Sequence, residues 1–255
     1  MTTLRILVTG GGSSGHISPA LAIIETLQEL AARPETPWTP QFLYLGGKRG
    51  LEQGLVEAVG IPFVGVETGK LRRYMSRENL TDAFRVPVGV GQALGAVRRF
   101  RPHVVLATGG YVAVPPVMAA ALLRVPVIIH EQTVQIGLAN RITSRYATRI
   151  ALGFESALDE LPPALRHKAF VPGNPVRPVI FGGDPAEAVR LCGFVAEDGV
   201  LPTIYVTGGS QGARILNRAV ELVLPELLRF CRVIHQCGRQ PAHERRSREP
   251  VRSCL

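Results

Sequence analysis

A histidine, His16, follows the run Gly10-Gly11-Gly12-Ser13-Ser14-Gly15, and the apolar stretch Leu4-Arg5-Ile6-Leu7-Val8-Thr9 precedes that run. A strand, a glycine turn and a helix make a cradle for an anion. Glycine permits positive φ and close backbone approach, and the N–H groups and dipole of a helix mouth favour negative charge. A neutral imidazole at that mouth can accept a hydroxyl proton. His16 is therefore read as an acceptor-side base or an acceptor-positioning group. A capping histidine bonded to backbone is the plain alternative. A second turn of the same layout, Gly208-Gly209-Ser210-Gln211-Gly212-Ala213, stands roughly two hundred residues later. There Ser210 can offer its hydroxyl, and the turn its backbone N–H groups, to a diphosphate. Arg177, closing Pro172-Gly173-Asn174-Pro175-Val176-Arg177, can add a charged fork. Tyr111 and Glu131 are read as cleft-wall residues, with loop packing and helix capping as their plainer roles. His103, His130 and His235 fall at or near strand ends and receive no chemistry.

These residues need elements to position them. Apolar runs of strand length cover 4–9, 41–45, 62–66, 103–107, 126–130 and 148–152. Helix-like segments cover 18–31, 50–59, about 80–99, 114–124 and 137–146. Near-continuous apolar strands alternating with helices mean a parallel sheet covered on both faces. The sequence thus predicts an α/β protein. A doubly wound Rossmann-like domain takes residues 1–153, and a junction with a short helix near 184–192 takes 154–200. The start of a second, incomplete Rossmann-like domain takes 201–238, and an irregular basic tail takes 239–255. Residues 104–123 carry no charge over a span long enough to cross a bilayer. Gly109-Gly110 and Pro115-Pro116 break it, so it reads as strand, loop and helix. No signal peptide is read at the start of the chain.

Composition narrows the partners. Lysines and arginines number 29 against 20 acids, a net charge of +9 over 255 residues. That balance suits nucleic acid, anionic membrane or phosphorylated substrates. Nucleic acid ranks last, because no aromatic interleaving or recognised module accompanies the charge. The four cysteines, at 192, 231, 237 and 254, form no CxxC pair, and no His, Cys, Asp or Glu cluster has metal-ligand spacing. A metal-independent reaction without a cofactor fits, with fixed dipoles in place of Mg²⁺.

The first glycine turn alone would suit a dinucleotide. The second strand, however, ends Leu45-Gly46-Gly47-Lys48-Arg49, without an acid for a ribose. NAD is disfavoured; NADP stays open through Lys48 or Arg49. Two turns on two units point instead to two ligands meeting in a cleft.

Five stretches occur in order: GGSSGHISPALAI, ATGGYVAVPP, PVIIHEQT…GLANR, PGNPVR and VTGGSQGARILN. The series resembles the lipid II-forming N-acetylglucosaminyltransferases of glycosyltransferase family 28, over residues 4–238. The resemblance implies a GT-B fold. It implies inverting transfer of GlcNAc from UDP-GlcNAc to the MurNAc C4 hydroxyl of lipid I, the undecaprenyl-pyrophosphoryl acceptor of peptidoglycan synthesis. The N-terminal domain would take the lipid acceptor and the C-terminal domain most of the nucleotide sugar. The segment Ser13-Ser14-Gly15, Arg177 and the turn of Ser210, Gln211 and Gly212 would touch the donor. The chain departs from the family at Ser13-Ser14-Gly15, where threonine-glycine-glycine is usual, and at Thr133, where asparagine is usual. Threonine keeps a hydroxyl but loses the amide's paired donor and acceptor.

A lipid-borne acceptor also implies peripheral attachment to the cytoplasmic face of the cell membrane. Arginines at 72, 73, 77, 85, 98, 99 and 101, around Phe84, Val88, Val90 and Leu94, suit an anionic lipid surface, at ~1 kcal/mol per basic residue near the headgroups. The tail after Gly238 reads as a truncated or frame-shifted ending. The remaining alternatives are a non-catalytic acceptor- and membrane-binding remnant and, behind it, an NADP-dependent oxidoreductase.

Overall fold

The structure is a computed structural model that describes residues 2–48, 50–69, 77–194, 201–209 and 212–238, with backbone alone at 77–84 and 189. The strands are β1 (Thr2–Thr9), β2 (Trp38–Gly47), β3 (Phe63–Val66), β4 (Val104–Ala107), β5 (Val127–Glu131), β6 (Arg149–Leu152) and β7 (Ala169–Phe170). All pair in parallel in the order β3-β2-β1-β4-β5-β6-β7. The direction of winding reverses between β1 and β4. In open α/β sheets the strand ends at such a reversal splay apart and leave the crevice where ligands bind.

Helices α1 (Ser14–Ala31) and α2 (Glu52–Glu57) follow β1 and β2. Helices α3 (Arg77–Phe100), α4 (Val114–Leu122) and α5 (Leu138–Thr143) follow β3, β4 and β5, and the single-turn helix α6 (Pro163–Arg166) precedes β7. Side chains alternate along a strand, so each strand feeds two cores. Ile6 and Val8 of β1 join Ile17, Leu21 and Ile24 of α1, with Phe42 and Tyr44 of β2. Leu7 turns the other way, to Val97 of α3, Val117 of α4 and Ile129 of β5.

Two differences from the periodicity reading have physical causes. Helix α1 starts at Ser14 rather than residue 18, because the Ser-Gly-His turn adopts helical backbone before the first apolar stripe begins. His16 therefore lies inside the first turn. The stretch 104–123 is as read, strand, loop and helix: β4, a 3₁₀ turn at Tyr111–Ala113 and α4, as its glycines and prolines dictate. And β7, two residues long, pairs with β6 from within the segment read as a junction. So short a strand carries no alternation to read.

The chain divides into two compact units, to Pro178 and from Val179. The second holds α7 (Pro185–Leu191), β8 (Thr203–Thr207), α8 (Arg214–Leu227) and β9 (Arg232–Gln236), with β8 and β9 paired in parallel. Within it Val220 and Cys231 are buried, while Ile215 is 85% and Leu222 76% exposed. Two strands and their helix leave much apolar surface in water.

Candidate functional site

The crevice between β1 and β4 is walled by two glycine turns, Gly10–Gly12 after β1 and Gly109–Gly110 after β4. Gly110 has φ +78°, and a Cβ there would overlap the Gly11 carbonyl oxygen. Gly11 N–H donates to the Gly109 carbonyl at 3.2 Å. The turns thus touch backbone to backbone, which side chains would prevent. Gly12, at φ +83°, lies under the Tyr111 ring. The buried Tyr44 hydroxyl donates to the Gly10 carbonyl at 2.7 Å and anchors the first turn from below. Burial, with the Glu52 charge nearby, pushes the Tyr44 phenol far above its ordinary value.

His16 is half-buried in this crevice. Its Nδ1 lies 3.0 Å from the Thr108 carbonyl and 3.2 Å from Gln132 Oε1. Thr108 Oγ1 donates to the His16 carbonyl at 2.6 Å. A carbonyl oxygen only accepts, so Nδ1 carries the proton and Nε2 keeps its lone pair. Ring and main chain of His16 are both bonded, so the plain reading of a backbone-bonded histidine holds for Nδ1. Nε2 stays available for a proton.

Glu131, buried at the end of β5, organises the loop beside it. One carboxylate oxygen accepts from Thr133 N–H at 3.1 Å and from the Thr133 hydroxyl at 2.8 Å. The other accepts from Gly137 N–H and Asn140 Nδ2, both at 3.0 Å. Glu131 thus shapes the loop 132–137 and places Asn140. Thr133 is exposed, and its hydroxyl lies 2.8 Å from the Gln135 carbonyl as well as from Glu131. A cavity of about 730 Å³ opens here, lined by His16, Tyr111, Glu131, Thr133, Leu138 and Asn140 among others. Its walls come from the mouth of α1, the turns after β4 and β5, α5 and single residues of α3 and α4, all within the first unit.

Sequence reasoning missed three members of this site: Thr108, Gln132 and Asn140. The first stands inside ATGGY and the other two inside HEQT…GLANR, yet no spacing rule marks them. His130, which the sequence left without a role, is buried and bonded on both ring nitrogens: Nε2 to the Gly173 carbonyl at 3.0 Å and Nδ1 to Gln132 Nε2 at 3.1 Å. Burial holds its pKa below the ordinary value, against smaller opposing effects of the Gly173 bond and the Glu131 charge.

The remaining site residues are spread out. Ser13 is the extended residue before α1, exposed and without a side-chain capping bond; Ser14 and Gly15 begin the helix. Arg177 lies after β7, where its guanidinium pairs with Glu25 of α1 through two bonds, Nε–Oε2 at 3.0 Å and Nη2–Oε1 at 2.5 Å. In the second unit Gly212 has φ +70° and packs against the Cys237 backbone. Asn217 Nδ2 donates to the Cys237 carbonyl at 2.9 Å, and Asn217 Oδ1 lies 3.1 Å from His235 Nε2. Ser210 and Gln211 lie outside the described residues, as does Arg49.

The absent ribose acid needs a correction. An acid does reach the end of β2, from α2: Glu52 is fully buried, and its Oε1 accepts from Gly47 N–H at 2.8 Å. A Cβ on Gly11 would come within 2.8 Å of its carboxyl carbon. Glu52 thus fills the space between the ends of β1 and β2. Lys48 pairs with Glu67 at 3.3 Å. Neither arrangement favours NADP.

Among the described residues no helix is long and apolar enough to cross a membrane. Arg85, Arg98 and Arg99 of α3 are exposed, as are Arg101 and Val88; Arg72 and Arg73 lie outside the described residues.

The glycosyltransferase family 28 N-terminal domain matches residues 6–152, and the family's C-terminal domain matches 203–253. The second match runs through the stretch that the sequence reads as an irregular tail. The UDP-N-acetylglucosamine--N-acetylmuramyl-(pentapeptide) pyrophosphoryl-undecaprenol N-acetylglucosamine transferase of Lachnospira eligens is 41% identical over 235 residues, covering 92% of this chain and 62% of that protein. The protein of the same name from Clostridium botulinum is 35% identical, covering 94% and 64%. The chain thus spans about three fifths of the length of these curated relatives. The crystal structure of Acinetobacter baumannii MurG superposes with a TM-score of 0.62 at 25% identity, over 93% of this chain and 59% of that one. A Neisseria meningitidis UDP-GlcNAc 2-epimerase bound to UDP-GlcNAc shares the fold at TM-score 0.60 and 15% identity. The expected fold class, GT-B-like α/β with a partial second domain, agrees with these neighbours. The chain belongs to glycosyltransferase family 28.

Proposed function

We propose that the chain is the acceptor-side portion and the start of the donor-side portion of an inverting hexosyltransferase. It would move GlcNAc from UDP-GlcNAc to the MurNAc C4 hydroxyl of lipid I, making lipid II. One observation carries the reading: His16, its Nδ1 committed to the Thr108 carbonyl, lines a roomy cavity at the winding reversal of a family 28 domain. In the step, the C4 oxygen attacks the anomeric carbon from the face opposite the diphosphate. The new bond is C4 oxygen to C1, and the bond that breaks is C1 to the diphosphate oxygen. UDP leaves with that electron pair, and the hydroxyl proton passes to His16 Nε2. Glu131 and Asn140 hold the cavity wall in register for the acceptor sugar. Arg177 and the turn of Ser210, Gln211 and Gly212 would neutralise the departing diphosphate, with Ser13, Ser14 and Gly15 at the donor edge. Tyr111 and Thr133 would line the acceptor. The acceptor's lipid tail places the protein on the cytoplasmic face of an anionic membrane, with the exposed arginines around α3 as its contact.

Two titrations test this. Calorimetry with UDP-GlcNAc and with a soluble lipid I analogue should give a binding heat for each. Heat from the analogue alone would reduce the chain to an acceptor-binding module. Heat from neither would end the reading.

A further inference from the structure

Between His16 and the loop at Gly173 runs a chain of side chains whose hydrogen bonds can be ordered donor by donor. Gln132 is its centre. Its Nε2 lies 2.7 Å from the Thr108 carbonyl, which only accepts, so that corner of the amide is the NH₂. The Oε1 corner therefore faces His16 Nδ1 at 3.2 Å and must accept. On the far side His130 Nε2 faces the Gly173 carbonyl at 3.0 Å and must donate. His130 Nδ1 is then bare, and Gln132 Nε2, 3.1 Å away, donates to it. Gln132 Nε2 also lies 3.3 Å from the His130 carbonyl, another acceptor, and reversing the amide breaks all four of its contacts at once. The same loop closes on Gln132 from outside, where Asn174 Nδ2 donates to the Gln132 carbonyl at 3.1 Å.

We infer that Gln132 is a positioning residue: with His130 fixing its amide, it holds His16 in the Nδ1–H tautomer and aims the bare Nε2 into the cavity. The Thr108 carbonyl adds a second acceptor for the same proton. The consequence for catalysis rests on the reading of His16 as the acceptor-side base. The tautomer itself does not, and it can be tested without turnover. An imidazole in the other tautomer would present N–H to the acceptor hydroxyl and could not take its proton. The His130 ring is bonded only to Gln132 and the Gly173 carbonyl among the described residues, while its carbonyl accepts from Asn140 of the cavity wall at 3.1 Å; the ring acts through Gln132.

The test is long-range ¹H–¹⁵N correlation of the full chain labelled at histidine nitrogens, in mildly alkaline buffer. His16 should show the Nδ1–H pattern and His130 the Nε2–H pattern. In Gln132→Met the amide is gone at nearly the same volume, only the Thr108 carbonyl is left to accept from His16 Nδ1, and the Nε2–H share of His16 should rise. In Gln132→Glu an acceptor still faces His16, but nothing donates to His130 Nδ1. His130 should change its pattern and His16 should keep its own. His103, His167 and His235 serve as fold controls, since none touches Gln132. Two results would overturn the inference: an Nε2–H pattern at His16 in the unaltered chain, or a His16 pattern unmoved by Gln132→Met with the control rings unchanged. If Gln132→Met also disturbs the controls, Gln132→Glu decides: an unmoved His130 refutes the relay.

Discussion

The Glu25 carboxylate takes two arms of the Arg177 guanidinium across 152 residues of chain, joining the middle of α1 to the segment that leaves β7. The charged bonds to Glu25 raise the Arg177 pKa above its ordinary value. Its side chains are 36% and 23% exposed, which keeps the pair's worth modest. A double-mutant cycle with Glu25→Gln and Arg177→Met should give a coupling of about 1 kcal/mol or less. Each single variant should also speed protease cleavage between residues 171 and 184. Unchanged cleavage would show that the pair does not hold this segment.

Gly110 should tolerate no side chain. Its φ of +78° and the Gly11 carbonyl beside it exclude a Cβ. Gly110→Ala should destabilise the first unit by more than about 1 kcal/mol. Urea unfolding followed by the single tryptophan, Trp38 of β2, would read this. An unmoved midpoint would mean that the two turns are not in contact.

Glu131→Gln keeps the shape and removes the charge. The carboxylate accepts four bonds, and a glutamine must present NH₂ to some of those donors. Leaving buried donors unpaired costs roughly 1–3 kcal/mol. The loop 132–137 should loosen, and affinity for a lipid I analogue should fall further than affinity for UDP-GlcNAc. Equal losses for both ligands would argue against an acceptor role for this wall.

Acid should weaken the first unit through His130. Burial lowers its pKa in the folded chain below the ordinary 6.5. The unfolded chain then binds more protons between the two values, so stability is complete above about 6.5 and falls as pH drops through the lower value. Urea midpoints by Trp38 fluorescence at about pH 7.5 and 5.5 should differ, by at most about 1.4 kcal/mol for each unit of lowering. His130→Gln should flatten that difference. A variant as pH-sensitive as the original would assign the effect to other groups.

The sheet was legible because buried parallel strands are continuous apolar runs; β1 to β6 were each anticipated within a few residues of their ends. β7 was not, since Ala169–Phe170 gains its strand character only from pairing with β6. The glycine turn marked His16, because glycine and the helix mouth are local features. Its partners were not marked. Thr108, Gln132 and Asn140 reach it through the sheet, and proximity across strands leaves no spacing in the chain. Glu25 and Glu52 were missed for the same reason. One reads as an ordinary helical acid and the other as a residue after a loop, until the fold sets them against Arg177 and Gly11.

The central claim is that His16 Nε2 takes the proton of a hydroxyl that attacks UDP-GlcNAc. The direct measurement is transfer of labelled GlcNAc to a lipid I analogue by the full chain, with the configuration of the new linkage determined. The account predicts a β-linked product, inverted from the donor, and a loss of ~10²-fold or more in turnover for His16→Ala. Equal turnover in His16→Ala, or a product of retained configuration, would contradict it.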